Sequence, residues 1–352
     1  MNKQTKKFSE IIVLKRGYDL PSVNRCKGSI PLYSSSGIAD FVDEAKVTGP
    51  GVITGRSGSI GEVYYSQDDF WPLNTTLYVE DFRGNSPKYI YYWLSQLPLK
   101  QFATGSAVPT LNRNFLSDLE CQVHSKEDQQ HIVGTIGSVD DLIEKNSKKI
   151  ELLEKQIMNR FGDFYSALSY NSTIGENFEC VLGGTPNTEK DEYWGGNVNW
   201  INSGELNKIR IVAPSRTITR AGLEKSAAKM MPKGTTVLAI TGATLGKTSL
   251  LEIDTSGNQS IIGILENEKF QKDFIYPMLI TELPVLITHK TGGAQLHINK
   301  NDVLGLKIKV PTVMQYKRYS EHVMPLFGLQ SNLVWQNEKL KKLKAQLLTK
   351  YF

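Results

Sequence analysis

GSAVPTLNRNFLSDLECQV, residues 105–123, returns in altered form as GGAQLHINKNDVLGLKIKV, residues 292–310. Gly105, Ala107, Asn112, Asn114, Leu119 and Val123 meet identical residues. Leu111, Arg113 and Leu116 meet Ile298, Lys300 and Val303. Self-similarity at a long period marks a repeated structural unit. The match extends upstream. TGRSGSIGEVY (54–64) parallels TGATLGKTS (241–249), Asn74 falls opposite Asn258, and VLKRGYDLP (13–21) loosely parallels VLGGTPNTE (181–189). The chain reads as two halves, each a variable module followed by a better-matched segment.

Each matched segment runs into a helix of one design. From residue 132, a seven-residue frame places Ile136, Ile143, Ile150 and Ile157 in one column and Val139, Asn146 and Leu153 in the other. Adding 190 gives Leu326, Leu333, Leu340 and Leu347, with Leu329, Gln336 and Leu343 beside them. A 3.5-residue apolar period is a coiled-coil seam. The spacing predicts two helices of about 33 residues, roughly 50 Å long, paired antiparallel. Asn146 and Gln336 in the seam would cost stability and fix register. Pro325 is expected to start or kink the second helix. The alternative is two separate amphipathic helices, each lying on its own domain.

The modules read as mixed α/β. GVITG (51–55), GEVYYS (61–66) and TTLYVE (75–80), then TTVLAI (235–240), KTSLLEI (247–253) and QSIIGIL (259–265), are short alternating runs between turn residues, as strands require. SPKYIYYWLSQLP (86–98) and FIYPMLITELP (274–284) read as helices.

The 352 residues suit two domains. A formal charge of +5 permits nucleic-acid binding without requiring it. No apolar run approaches a membrane span, and the basic N-terminal stretch has no apolar core of a signal peptide. Cys26, Cys121 and Cys180 are scattered and fit a reducing, cytoplasmic setting.

TGATLGKTS comes near the phosphate-binding loop G-x-x-x-x-G-K-[ST], but Gly242 and Gly246 enclose three residues rather than four. In the parallel stretch Glu62 stands where Lys247 does, and a carboxylate repels phosphate. Signatures of catalysis are missing: no F-x-G-x-G, [DN]-P-P-[YF], H-E-x-x-H or G-x-S-x-G occurs. Glu44–Ala45–Lys46 is half a nuclease motif with no Pro-Asp before it. His131 and His322 read as helix-surface residues, and His289 and His297 lie in a polar loop. No metal ligand set is visible. Loops rich in hydroxyls, amides and cations are present instead: LYSSSGIADF (32–41), DFWPLNTT (69–76), RTITRAGLEKSAAK (216–229) and THKTGGAQLHINKN (288–301). Such residues meet phosphates and base edges. Singly they are ordinary turns, and Trp71, Trp194 and Trp200 ordinary core. As a set on two repeated modules they point to nucleic acid. A scaffold whose two repeated modules grip other proteins is one alternative, and a P-loop-like nucleotide-binding protein is another.

IPLYSSSG (30–37), GPGVITGRSGSIGEVYY (49–65), DFWPLNTTLYV, GSAVPTLNRNFLSDLE, LGGTPNTEKDEYWGG and WINSGEL carry a family resemblance, as do the run from residue 218 to 249 and GNQSIIGI. Over nearly its whole length the chain resembles the specificity (S) subunits of type I restriction–modification enzymes. It departs at Ser125, where a proline is usual, and at Arg318, where an apolar residue is usual. The resemblance implies two tandem mixed α/β target-recognition domains with pseudo-two-fold symmetry, separated by two long antiparallel coiled-coil helices. The expected boundaries are 1–125 and 169–312 for the recognition domains, and 126–168 and 313–352 for the spacer helices. Each domain would read half of a bipartite site on double-stranded DNA. The spacer would fix the gap and dock two methyltransferase (M) subunits, which bind S-adenosylmethionine and flip out an adenine. Motor-nuclease (R) subunits would use ATP and Mg. This chain would hold no cofactor and no active site. Expected DNA contacts are Ser34, Ser35, Arg56, Ser57, Ser59, Thr110, Asn112 and Arg113 in the first module. In the second they are Thr217, Thr219, Lys233, Thr244, Lys247, Lys290, Gln295, His297 and Lys300.

Overall fold

The computed structural model describes residues 1–105, 109–288 and 298–352. The chain divides into two compact units, residues 1–142 with 341–352, and residues 143–340.

In the first unit Lys3–Lys7 pairs antiparallel with Glu120–His124, Lys3 facing His124. A one-turn helix, Phe8–Ile11, follows and buries both of its end residues. The main sheet has the order Val13–Arg16, Thr76–Asp81, Gly51–Gly55, Val63–Ser66, and every pair is antiparallel. A smaller sheet sets Lys27–Ser34 between Gly37–Val42 and the parallel Trp71–Pro72. Helix Pro87–Gln96 starts on Ser86, whose hydroxyl accepts from the Tyr89 N–H, with proline at its first position. Its buried residues, Tyr89, Ile90, Tyr92, Trp93 and Leu94, join Phe8, Val52, Leu77, Ile132 and Ile136 in one core. Complete burial of a side chain such as Ile90 or Leu94 contributes about 1.5–3 kcal/mol.

The second unit repeats this plan. Ser172–Thr173 pairs antiparallel with Lys307–Ile308, and a one-turn helix, Ile174–Asn177, follows under a Thr173/Glu176 capping box. The main sheet has the order Cys180–Leu182, Ile261–Ile264, Thr236–Ala239, Thr248–Leu251, with Arg210–Ile211 added in parallel at the edge. The first four strands match those of the first unit one for one. The smaller sheet again has a parallel pair: Trp194–Ile201 lies between Arg216–Ile218 and Thr255–Gly257, and Met230–Met231 adds a fourth strand. Helix Lys272–Thr288 takes the place of Pro87–Gln96 and contributes Phe274, Ile275, Met278 and Leu279 to the core.

One long helix covers Lys126–Ser166 and the other Val313–Tyr351, 41 and 39 residues. At 1.5 Å per residue each is about 60 Å long. Ser125 starts the first by accepting from the Asp128 N–H, so serine does what a proline would not. Thr312 and Gln315 form a reciprocal cap at the second. Of the two roles expected of Pro325, to start or to kink this helix, the first is corrected: it lies inside, twelve positions after Val313.

Within each unit the two helices run antiparallel. In the first, Lys344 Nζ lies 2.6 Å from Asp140. In the second, Asn146 Nδ2 donates to Gln336 and Asn337, and Gln330 Nε2 donates to Glu154 at 3.0 Å. The first helix buries Ile136, Asn146, Leu153 and Ile157, with Val139, Ile143 and Ile150 half-buried. The second differs from the frame drawn by adding 190. Leu329 and Leu343 are exposed (50% and 42%), and Gln336 is exposed too. The inward column runs one residue later, through Gln330, Asn337 and Lys344. One residue is a 100° turn, and the polar partners Asp140, Asn146 and Glu154 select the polar face rather than the leucine beside it. Leu326, Leu333, Leu340 and Leu347 are half-buried.

Candidate nucleic-acid interface

Two glycine turns organise the polar residues of the units. In the first unit Gly61 has φ 93°, and in the second Gly246 has φ 83°. Both values lie in the left-handed region that glycine alone adopts without cost. Each turn is fastened by the same backbone bond. The Leu111 N–H donates to the Arg56 carbonyl at 2.7 Å, and the Ile298 N–H donates to the Ile240 carbonyl at 3.0 Å. Leu111 and Ile298 are partners in the repeat read from the sequence.

This bond gathers the first unit's candidates. Ser57 bridges to Thr110, and the Arg56 and Ser57 N–H groups both donate to the Thr75 carbonyl. Arg56 Nη1 donates to the Asn74 carbonyl at 3.2 Å, so this half-buried cation also holds the turn together. Ser35 lies beside Gly58, and Ser59 is exposed. Ser34 closes the adjoining hairpin by donating to the Gly37 carbonyl. Asn112 caps the turn Arg113–Phe115 by accepting from the Asn114 N–H, and Arg113 Nη1 donates to the Leu14 carbonyl at 3.0 Å. A cavity of about 450 Å³ opens between Ser59, Glu62, Lys100 and Pro109.

In the second unit Thr244 and Lys247 lie on the corresponding turn, and Lys247 is exposed. Lys300 opens the short helix Lys300–Leu304 behind the Asn299 cap and is exposed. Thr217 is on the edge strand Arg216–Ile218 of the smaller sheet, and Thr219 follows that strand. Thr219 caps helix Arg220–Glu224 and donates to the Glu192 carbonyl, so its hydroxyl is used within the fold. Lys233 is exposed, 3.6 Å from Glu252. Lys290, Gln295 and His297, with His289, lie outside the described residues.

The turn cannot cradle a phosphate. Its Leu245, Gly246 and Lys247 N–H groups donate to the carbonyls of Gly242, Ala239 and Thr244. A phosphate loop needs such amides free and convergent. Among the described residues no group of three His, Cys, Asp or Glu could hold a metal, and no helix is long and apolar enough to cross a membrane.

Sequence reading missed Arg216. Its guanidinium lies 3.8 Å from the centroid of the Trp194 ring, on the edge strand Arg216–Ile218, and it is exposed. Trp194 is half-buried against Trp200 rather than part of a closed core. A cation 22 positions from a tryptophan carries no local signal.

Known proteins resemble the chain throughout. The model of the type I restriction modification DNA specificity domain matches it twice, over residues 2–155 and 170–319. The specificity subunit of the type I restriction enzyme EcoR124I/EcoR124II from Escherichia coli is 24% identical over 265 residues, 70% of this chain and 64% of that protein. The MjaIX specificity subunit of Methanocaldococcus jannaschii is 25% identical over 179 residues, 49% of this chain and 41% of that protein. The chain thus spans less than two thirds of the length of either relative. The crystal structure of a type I restriction–modification S subunit from M. genitalium shares the fold, with a TM-score of 0.64 at 16% identity, over 100% of this chain and 96% of that one. The two matches of the family model, one for each half of the repeat, show that this chain belongs to the type I restriction modification DNA specificity domain family.

Proposed function

We propose that this chain is the non-catalytic, sequence-reading subunit of a type I restriction–modification complex. Recognition domains at 1–125 and 169–312 each read one half of a bipartite site on double-stranded DNA. Spacer helices at 126–168 and 313–352 set the unread gap and dock two methyltransferase subunits. Those subunits carry S-adenosylmethionine, and motor-nuclease subunits carry ATP and Mg. The assembly acts in the cytoplasm as an adenine methyltransferase and ATP-dependent endonuclease.

The observation that carries this reading is the doubled scaffold with unlike loops. Two main sheets that share four strands in the same order hold matching glycine turns, while the residues on them differ: Glu62 against Lys247, Ser59 against Thr244. Identical scaffolds with different polar surfaces suit two readers of two different short sequences. The surface groups are the hydroxyls, amides and cations that meet DNA backbone and base edges.

The test is a footprint of the complex with its methyltransferase subunits, combined with sequencing of methylated adenines. Two protected half-sites with an unprotected gap, and affinity that falls steeply with salt, are expected. Salt-insensitive binding without a sequence preference would replace this reading with the protein-gripping scaffold.

A further inference from the structure

We infer that Arg216 is a base-reading residue of the second unit, its guanidinium fork taking the O6 and N7 of a guanine in that unit's half-site. The inference rests on the DNA-reading function proposed above and names one contact within it.

The sequence prepares the site locally. Trp194–Ile201 pairs antiparallel with Arg216–Ile218, and its register breaks between Trp194 and Val198, since both residues face Ile218. Gly195, Gly196 and Asn197 fill the break. Gly195 has φ 78°, and a Cβ on Gly196 would lie 2.6 Å from the Thr219 backbone. A bulge of this kind re-aims a side chain. Here it brings the Trp194 indole beneath the Arg216 guanidinium, while the Trp194 Nε1–H donates to the Asn187 carbonyl at 3.1 Å and fixes the ring.

Stacking restricts a long side chain and leaves the edge of its planar fork open. Among the described residues the guanidinium has no hydrogen-bond acceptor and no acidic partner. The nearby Arg220 is paired with Glu224 and Arg210 with Glu252, so the unpaired state of Arg216 sets it apart from its neighbours. An arginine poised in this way suits bidentate recognition of guanine, the commonest specific contact in the major groove.

A phosphate contact is the competing role, and the repeat argues against it. In the second unit Trp200 lies between Arg216, antiparallel, and Ser256, parallel. In the first unit Leu32 lies between Asp40, antiparallel, and Trp71, parallel. Asp40 is therefore the topological equivalent of Arg216. It is exposed, it accepts from the Phe41 N–H, and Arg25 lies 3.8 Å away. A position that met phosphate would not carry opposite charges in two units doing one job. A position that meets base edges changes its chemistry when the half-site changes.

The test uses the full chain with its methyltransferase subunits and a DNA library randomised over both half-sites. Arg216→Gln and Arg216→Lys are compared with the parent for base preference, affinity and salt dependence. In both variants one guanine of one half-site should lose its preference by about five- to 150-fold, with the other half-site unchanged. Lys keeps the charge, so its loss of preference isolates the planar fork. An unchanged motif in both variants overturns the inference. So does uniform weakening across all sequences, with the salt slope reduced by about one in Arg216→Gln and restored in Arg216→Lys, because that is a phosphate contact. A parent complex with no base preference at all removes the proposed function itself, and the inference with it.

Discussion

The side-chain amide of Asn146 donates to Oδ1 of Asn337 at 3.0 Å, and both residues are buried. The Asn337 amide in turn donates to the Ile143 carbonyl and to Ser147 Oγ. A polar pair inside an apolar seam lowers stability but admits one register, because any slip strands its donors. Asn146→Ala leaves the Asn337 and Gln336 oxygens without this donor and is expected to destabilise the chain by about 1–3 kcal/mol in denaturant unfolding. Replacing both Asn146 and Asn337 by leucine should be close to neutral or stabilising, yet loosen the register. Spin labels at positions 145 and 339, in a Cys26→Ser background, would report a broader distance distribution. A distribution as narrow as the parent's would show that packing alone sets the register.

Arg210 carries the second prediction. Its side chain is fully buried and pairs with Glu252, and it donates to Gln330 at 2.8 Å and to the Phe327 carbonyl at 3.2 Å. Gln330 and Phe327 belong to the second long helix, so one cation fastens the edge of the main sheet to that helix. Arg210→Met strands the Glu252 carboxylate, leaving it Ser331 and the more distant Lys233, and should cost about 3–5 kcal/mol. Adding Glu252→Gln should recover most of the loss. In the first unit, Asp140 and Lys344 are about a fifth exposed. Lys344→Met should cost no more than about 1 kcal/mol. Equal losses for the two arginine and lysine variants in thermal unfolding would contradict the burial argument.

These contacts show what the sequence made legible. Strands were readable because alternation and turn residues are local, and the doubling because matched stretches recur in order. The facing of the second long helix was not. Residues i and i+1 differ by 100°, so Leu329 and Gln330 competed for one column, and only the positions of Glu154 and Arg210 decide it. For the site, Asn112 and Thr219 look like ligands of DNA because the residue types that meet phosphate also cap helices, and both do cap. Arg216 acquires its meaning from the bulge at Gly195 and Gly196, which no residue type announces.

His124 supplies a pH dependence. It is 4% exposed. The Tyr89 hydroxyl accepts from the His124 backbone N–H at 3.1 Å and lies within hydrogen-bond distance of its Nδ1, at 2.9 Å. The His124 Nε2 is buried with no hydrogen-bond partner among the described residues. Burial, followed by the nearby Lys3 charge, pushes the imidazole below its ordinary pKa of 6.5. The unfolded chain therefore takes up this proton more readily than the folded one. Stability from neutral His124 is complete above pH 6.5 and is lost as pH falls below it toward the lowered folded value. Unfolding free energy should drop between pH 7.5 and 5.5, and His124→Gln should flatten that slope. Parallel slopes for parent and variant would remove His124 as the cause.

The paired helices permit a test of the proposed spacer. In the second unit 154 faces 330 and 146 faces 337, so facing positions sum to about 484. Deleting 144–150 together with 334–340 removes seven residues from each helix and rejoins them in register. Seven residues of helix span about 10 Å. At 3.4 Å per base pair this is about three base pairs. If the helices set the gap between half-sites, the matched deletion should shorten the preferred gap by about three base pairs while leaving both half-site sequences intact. Deleting 144–150 alone should instead destabilise the chain, because Asn337 loses its partners Asn146 and Ser147. Methylome sequencing reads the gap directly. A folded double-deletion complex that still selects the parent gap would show that something other than these helices measures the distance.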